Sequence, residues 1–496
     1  MLGGRGFGDR QDGAVFHPDL EPPFWKRHDA RIRIAAFTAT IGVVAGLLIA
    51  GAPFDDQAPA PAPVHSTAPE LVSTTLTDRD PKAAPNAQAV YQALAGLENA
   101  ARGGAAGGTV LGQHVEVHNE RLNPEYGDQP GLKQPGYYYR KTEELTGRLA
   151  GFVEADLGPG YEEPGWAAGD PRSYSTGKWP TCRPGWQYTD DVVDLLQGVW
   201  SGLPRPADGS YYTGGAEHNC DGSTTTLPEN GGGPAGIVGM SFHEPYPGSK
   251  LKSFSEVQCS GSPAAHDPGW FDRVIDWRDD TPEYQALLGD LSYLADHLAY
   301  LADHGVPVLL RPYHEMNATS CANGFWWADQ PPAKFKALWQ IMYNYLVGTR
   351  GLHNLIFVWS PSAWDGTKGG DPAAYYPGSQ YVDMVGVDDY STTPRTSGRS
   401  AWTSQWYDGL ASYRKPRMLA ESFYVPVNQA QNDTLSRTPW VVWSVWGQAI
   451  TADNATEPSR RNSQDDLTAS FRAPLAITGG GRAQGSTFDW RKLHRQ

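Results

Sequence analysis

The stretch PVLLRPYHEMN, residues 307–317, begins as a buried strand and ends in a cluster of polar groups. Val308, Leu309 and Leu310 form a short apolar run, and Arg311, His314, Glu315 and Asn317 follow at once. A surface loop needs no such apolar approach, and a core strand does not favour that ending. The pattern fits a strand of a parallel barrel, where the run packs inside and the residues after it reach the mouth. The rest of the chain repeats it. Apolar strands are predicted at 108–117, 151–156, 235–245, 354–363, 381–390, 416–425 and 439–447. Helices are predicted between them at 138–150, 189–202, 282–304, 332–349 and 404–415. In the third, Leu287, Leu288, Leu291, Tyr293, Leu294, His297, Leu298 and Leu301 recur at helical spacing. Eight strands with intervening helices predict an α/β fold, a (β/α)8 TIM barrel. A doubly wound sheet is the competing arrangement. Polar residues at strand ends favour the barrel: His243, Tyr390, Glu421 and Trp446 close strands three, six, seven and eight.

Composition narrows the function classes. The chain has 496 residues with a formal net charge of −15, which lacks the basic footprint of a phosphate-backbone binder, so nucleic acid is not an expected partner. Its 18 Trp, 24 Tyr and 15 Phe offer flat faces of the kind that suit sugar rings, although a large aromatic core needs the same residues. Four cysteines occur, none in a C-x-x-C pair; sequence proximity suggests Cys182–Cys220 and Cys259–Cys321.

The chain divides into four parts. Residues 1–33 are a polar tail ending in basic residues, expected to be cytoplasmic. Residues 34–52 carry no charge and approach the length that crosses a hydrocarbon core. The flanking charges orient the N-terminus inward, so a membrane anchor is expected, with cleavage as a signal peptide near Ala52 as the alternative. Residues 53–84 read as a Pro/Ala-rich linker. Residues 85–496 form the barrel, with a long insertion between strands two and three at about 157–233. The barrel is therefore expected outside the cytoplasm, at the cell membrane or secreted.

Two strand-end carboxylates, Glu315 and Glu421, suit glycoside hydrolysis, which needs one carboxyl to protonate the leaving oxygen and a second to attack or to activate water. Either could instead be a structural ion pair. The words RPYHEMN, GFWW, VWSPS, YYPGSQYVDMVGVDDY and KPRMLAES, in that order, resemble glycoside hydrolase family 26, the β-mannanase family, over residues 108–450. The resemblance implies a retaining endo-hydrolase, most often of β-1,4-mannans, with a polysaccharide partner and no cofactor. It makes Glu315 the acid/base and Glu421 the nucleophile. Arg311 and Tyr390 would hydrogen-bond Glu421, His314 would bind near the scissile bond, and His243 would hold the attacked sugar. Trp446 would be its platform, with Trp327 and Asn317 completing the binding set. The family also includes β-1,3-1,4-glucanases and β-1,3-xylanases, and a glycan-docking protein without catalysis is the reading from another class. Here ATSCANG interrupts the run after HEMN, and Gly324 replaces an expected aromatic, which bears on the leaving-group side.

Other motifs carry less. His314 and Glu315 begin H-E-x-x-H, but Ala318 occupies its last position, so no metal site is expected. GGGPAG at 231–236 precedes a strand, whereas a dinucleotide fingerprint follows one. Asp388 and Asp389 are expected to hydrogen-bond sugar or backbone. Asn317, Asn432 and Asn454 lie in N-x-[ST] sequons, and Asn317 is expected to stay unmodified because a glycan there would block the cleft.

Overall fold

Strand β1 (Thr109–His114), β2 (Phe152–Leu157) and β3 (Ile237–Phe242) are followed by β4 (Val308–Pro312), which carries the stretch quoted above. Then come β5 (Leu355–Trp359), β6 (Met384–Asp388), β7 (Arg417–Glu421) and β8 (Val442–Trp446). All pair in parallel in that order, and β1 pairs with β8, for example His114 opposite Trp446, so the sheet closes into a barrel. The computed structural model describes residues 70–105, 107–115, 137–158, 188–202, 235–250, 254–318, 321, 324–363, 370–390, 406–426, 428–429, 432–450, 462–480 and 488–493. These residues belong to the unit Ser66–Gln496.

Every residue of the eight strands is buried, the expected state of a parallel sheet walled by helices. The wall includes α1 (Pro85–Arg102), α2 (Tyr137–Thr146), α3 (Tyr188–Ser201), α4 (Pro282–Asp303), α5 (Pro332–Tyr343) and α6 (Gln464–Phe471). Helix α4 shows how the sequence sets its bounds. The Thr281 hydroxyl accepts from the Tyr284 amide and Pro282 opens the first turn, both ordinary start signals. Its Leu287, Leu291, Leu294, Leu298 and Leu301 are fully buried along one stripe.

Several boundaries differ from expectation; the helix expected at 404–415, for example, closes as a 3-10 turn at Leu410–Tyr413. Helix α5 gives way to a π-helical turn at Asn344–Thr349 rather than continuing as α-helix to 349. A short strand, Ala476–Ile477, pairs with the first residues of β1 on the side where β2 has not yet begun. The folded part also starts before Pro85. Val72 and Leu76 are buried, and their amides donate to Asn99 and Gln88 of α1 at 2.8 and 2.7 Å. Residues 70–84 are thus docked chain, because apolar side chains there find a partner in α1. Most of the predicted linker, the tail 1–33 and the apolar run 34–52 lie outside the described residues, as does most of the insertion apart from α3. Among the described residues no helix is long and apolar enough to cross a membrane.

Cys259 and Cys321 form a disulfide, as their proximity suggested, whereas Cys182 and Cys220 lie outside the described residues. The disulfide ties the loop after β3 to the loop after β4. Backbone bonds reinforce it: Cys259 N donates to Gly324 O at 2.9 Å and Trp326 N to Val257 O at 3.0 Å.

Candidate active site

Residues at the C-terminal ends of the strands converge at one end of the barrel. Arg311, at the top of β4, is 1% exposed, and its guanidinium bonds three carboxylates. Nε donates to Glu154 on β2 at 2.8 Å, Nη1 to Asp388 on β6 at 3.1 Å, and Nη2 to Glu421 on β7. The other oxygen of Glu421 accepts the Tyr390 hydroxyl, and the Trp446 indole N–H donates in turn to the Tyr390 oxygen. Glu421 is therefore braced on both oxygens.

One guanidinium cannot compensate three buried negative charges. Burial pushes Glu154 and Asp388 above the usual carboxylate range; Arg311 opposes this, and the charge of Glu421 adds to it. Burial, and after it the charge of Glu421, raises the Tyr390 phenol, so it stays a donor.

Glu315 sits in a different setting. It is 2% exposed and its Oε1 has no hydrogen-bond partner among the described residues. Burial, then the charge of Glu421, pushes its carboxyl up to about 8, against the pull of Arg311. Its backbone is left-handed, with φ 55°, as is that of Tyr313 at φ 49°. Such torsions are unfavourable for side chains with a Cβ and persist where neighbours fix them. Here Glu315 N donates to Ser360 O at the end of β5 at 2.9 Å. The site thus contains one carboxyl that holds a proton at neutral pH and a second one held against a cation.

His314 lies beside both, its Nε2 3.9 Å from Glu421 Oε1. Burial, then the charges of Arg311 and His243, hold its imidazole well below the ordinary range, so it is neutral. His243, ending β3, places Nδ1 3.0 Å from Asp156 of β2 and its ring edge-on to His314, centroids 4.9 Å apart.

Two predicted binding residues occupy other positions. Trp327 is fully buried beneath the site, its indole N–H donating to His314 O at 2.8 Å, so it supports the β4 end rather than facing a ligand. The ring brought against His243 and His314 is Phe325, at centroid distances of 5.2 and 5.0 Å. Phe325 also stacks on Trp327. Asn317 likewise turns away. Its amide donates to Ser362 O at 3.0 Å and accepts from Ser362 N at 2.8 Å, which ties the ends of β4 and β5 together.

Sequence reading passed over Glu154, Asp156, His114 and Ser360. A signal for the first two was present. They sit two residues apart in an apolar strand, so both point to one face, and buried carboxylates there require partners. Ser360 donates to Asp388 Oδ1 at 2.6 Å. The Asp388 carboxylate thus bonds the side chains of Arg311 and Ser360.

Ligand atoms of His314, Asp388 and Glu421 lie within 4.8 Å of one another, a spacing that a metal ion could use. The donor set does not fit a resident ion, because Arg311 already bonds both carboxylates and supplies the positive charge.

Comparison with known proteins gives consistent results. The family profile described as Glycosyl hydrolase family 26 matches residues 209–474, more than half of the chain. A mannan endo-1,4-beta-mannosidase of Bacillus subtilis (strain 168) is 32% identical over 211 residues, 41% of this chain and 50% of that protein. A second mannan endo-1,4-beta-mannosidase of Bacillus subtilis is 37% identical over 150 residues, 29% of this chain and 38% of its own length. The matches thus span half or less of these curated relatives. The crystal structure of a beta-mannanase from a symbiotic protist of the termite Reticulitermes speratus, complexed with gluco-manno-oligosaccharide, superposes with a TM-score of 0.54. It is 21% identical, with 82% of this chain and 97% of that one covered, and at that identity the likeness concerns the fold.

Proposed function

The chain belongs to glycosyl hydrolase family 26, and from that premise we propose that it is a retaining, endo-acting hydrolase of β-1,4-mannosidic bonds. The observation that carries this reading is the asymmetry of the two carboxyls. Glu315 is a buried acid pushed up to about 8, and Glu421 is braced by Arg311 and Tyr390. The names of the curated relatives support the substrate.

In the first step Glu421 attacks the anomeric carbon. Glu315 gives its proton to the glycosidic oxygen as that bond breaks, leaving a glycosyl ester on Glu421. In the second step ionised Glu315 takes a proton from water, the water oxygen attacks the same carbon, and Glu421 leaves. A group with a pKa near the operating pH suits both duties. Arg311 and Tyr390 keep Glu421 oriented. His243 and Trp446 form the walls of the pocket for the attacked sugar. The uncharged run at 34–52 with basic residues before it supports a further part of the reading, a catalytic domain tethered to the outer face of a membrane.

The test is to incubate the chain, purified in mild detergent, with linear mannan, galactomannan, glucomannan, mixed-linkage glucan and β-1,3-xylan, following reducing ends and product lengths. Oligosaccharides from the mannans, with the β-anomer appearing first by NMR and no turnover by Glu421→Ala, are expected. Cleavage of glucan or xylan alone overturns the substrate, an initial α-anomer overturns retention, and no cleavage at all favours a docking role.

A further inference from the structure

Strand β2 carries two inward carboxylates, and only Glu154 is accounted for by Arg311. Asp156, one strand period nearer the mouth, is 3% exposed. Its Oδ1 lies 3.0 Å from His243 Nδ1 and accepts the Ser241 hydroxyl. Its Oδ2 lies 3.3 Å from His114 Nε2 on β1, an ion-pair contact rather than an aligned hydrogen bond. One carboxylate therefore joins imidazoles from the two strands that flank it.

Those imidazoles lead to opposite sides of the site. His243 meets His314 and Phe325 next to Glu315. His114 lies against the Trp446 ring, centroids 4.1 Å apart and planes inclined by 38°. Trp446 donates to Tyr390, and Tyr390 donates to Glu421. We propose that Asp156 is a positioning residue whose carboxylate binds His243 to His114, and so holds the sugar-facing imidazole and the Trp446 platform in one fixed frame around Glu421. The kinetic part of this inference rests on the hydrolase reading above; the structural part does not.

The electrostatics agree with that geometry. Burial alone would raise Asp156, but His243 and His114 outweigh it and hold its carboxyl well below the usual range. Burial alone would lower His114, but Asp156 outweighs it, with Glu154 and Glu421 adding, so His114 keeps its proton to higher pH than an ordinary imidazole. Among the described residues His314, just beyond β4, and His243, just beyond β3, also face this pair.

The experiment compares the full chain with Asp156→Asn, which keeps the shape of the side chain and loses the charge. Histidine rings are labelled with ¹⁵N, and His114 is assigned by its disappearance in His114→Gln. In the parent chain His114 is expected to titrate above the ordinary imidazole range, and in Asp156→Asn to fall below its parent value. On manno-oligosaccharides KM is expected to rise roughly 10- to 100-fold, the scale of a small misplacement of a binding group, with a lesser change in kcat. An unchanged His114 titration overturns the proposal. So does a lowered titration with unchanged KM, because Asp156 is then a structural ion pair only. If Asp156→Asn does not fold by circular dichroism, His114→Gln carries the test. The same KM rise supports the frame, and an unchanged KM in the folded variant overturns it. If the parent chain cleaves no mannan, the substrate reading fails, whereas the imidazole titration still decides whether Asp156 governs His114.

Discussion

Replacing Glu315 with Gln should make the protein more stable at neutral pH, by an amount that the site itself fixes. In the folded state this carboxyl is pushed from 4.5 up to about 8, first by burial and then by Glu421. Between those two values the folded chain binds more protons than the unfolded chain, so stability falls as pH rises through the window. Each unit is about 1.4 kcal/mol. At pH 7 the folded state therefore carries a penalty of about 3 kcal/mol, and above pH 8 about 5 kcal/mol. Glutamine has nearly the same shape and no charge, so Glu315→Gln removes the penalty. Urea denaturation of both proteins at pH 4, 7 and 9 measures it. The expected gain is near zero at pH 4, about 3 kcal/mol at pH 7, and larger at pH 9. A gain of equal size at pH 4 and pH 7 would show that packing is responsible. No gain at pH 7 would show that Glu315 is ionised there, and with it the reasoning for a resting acid would fall. If the chain hydrolyses mannan as proposed, the same titration sets the alkaline limb of that activity, expected near pH 8.

Three further outcomes are expected. Arg311→Leu leaves Glu154, Asp388 and Glu421 buried without their cation, and removing one partner of a buried pair costs about 3–5 kcal/mol. Chemical denaturation should show a loss of that size, and a loss under about 1 kcal/mol would mean the carboxylates simply take up protons. Cys259→Ser opens a loop closed over 62 residues, for which chain entropy predicts a loss of about 4 kcal/mol, read as an unfolding shift that reductant reproduces in the parent chain. Asn317→Ala unties two backbone groups of Ser362 and should lower stability by about 1–3 kcal/mol, whereas a change in KM without any loss of stability would return Asn317 to the binding set.

The barrel was legible because short apolar runs recur with polar residues at or just beyond their ends: β7 ends on Glu421, and Glu315 follows β4 by three residues. Their surroundings were less legible for a physical reason. Arg311 and Glu154 are 157 positions apart, and nothing local to either announces the other. The period-two pair Glu154 and Asp156 signalled buried carboxylates but not their partners. GFWW shows three rings in a row and not which one meets the cleft. That is decided by the antiparallel bridge between Gln258 and Phe325, a contact between two loops. Asn317 followed the glutamate closely enough to be read as a ligand contact, yet backbone groups at the end of β5 bind it first. Helix α1 was less legible because it precedes the first strand, outside the strand–helix alternation that marks the barrel.

Arg311 has one more consequence, which concerns assembly. Its three carboxylates come from β2, β6 and β7, strands from both halves of the ring. A chain that has built only its first four strands offers Arg311 a single counter-charge and no carboxylate from β7 to brace. Only when the second half docks do Asp388 and Glu421 arrive together. On the hydrolase reading, the brace that orients Glu421 is therefore complete only when the ring is closed. Partly assembled barrels should therefore be inactive rather than weakly active, and complementation of two separately made halves should restore turnover and resistance to denaturant in the same proportion.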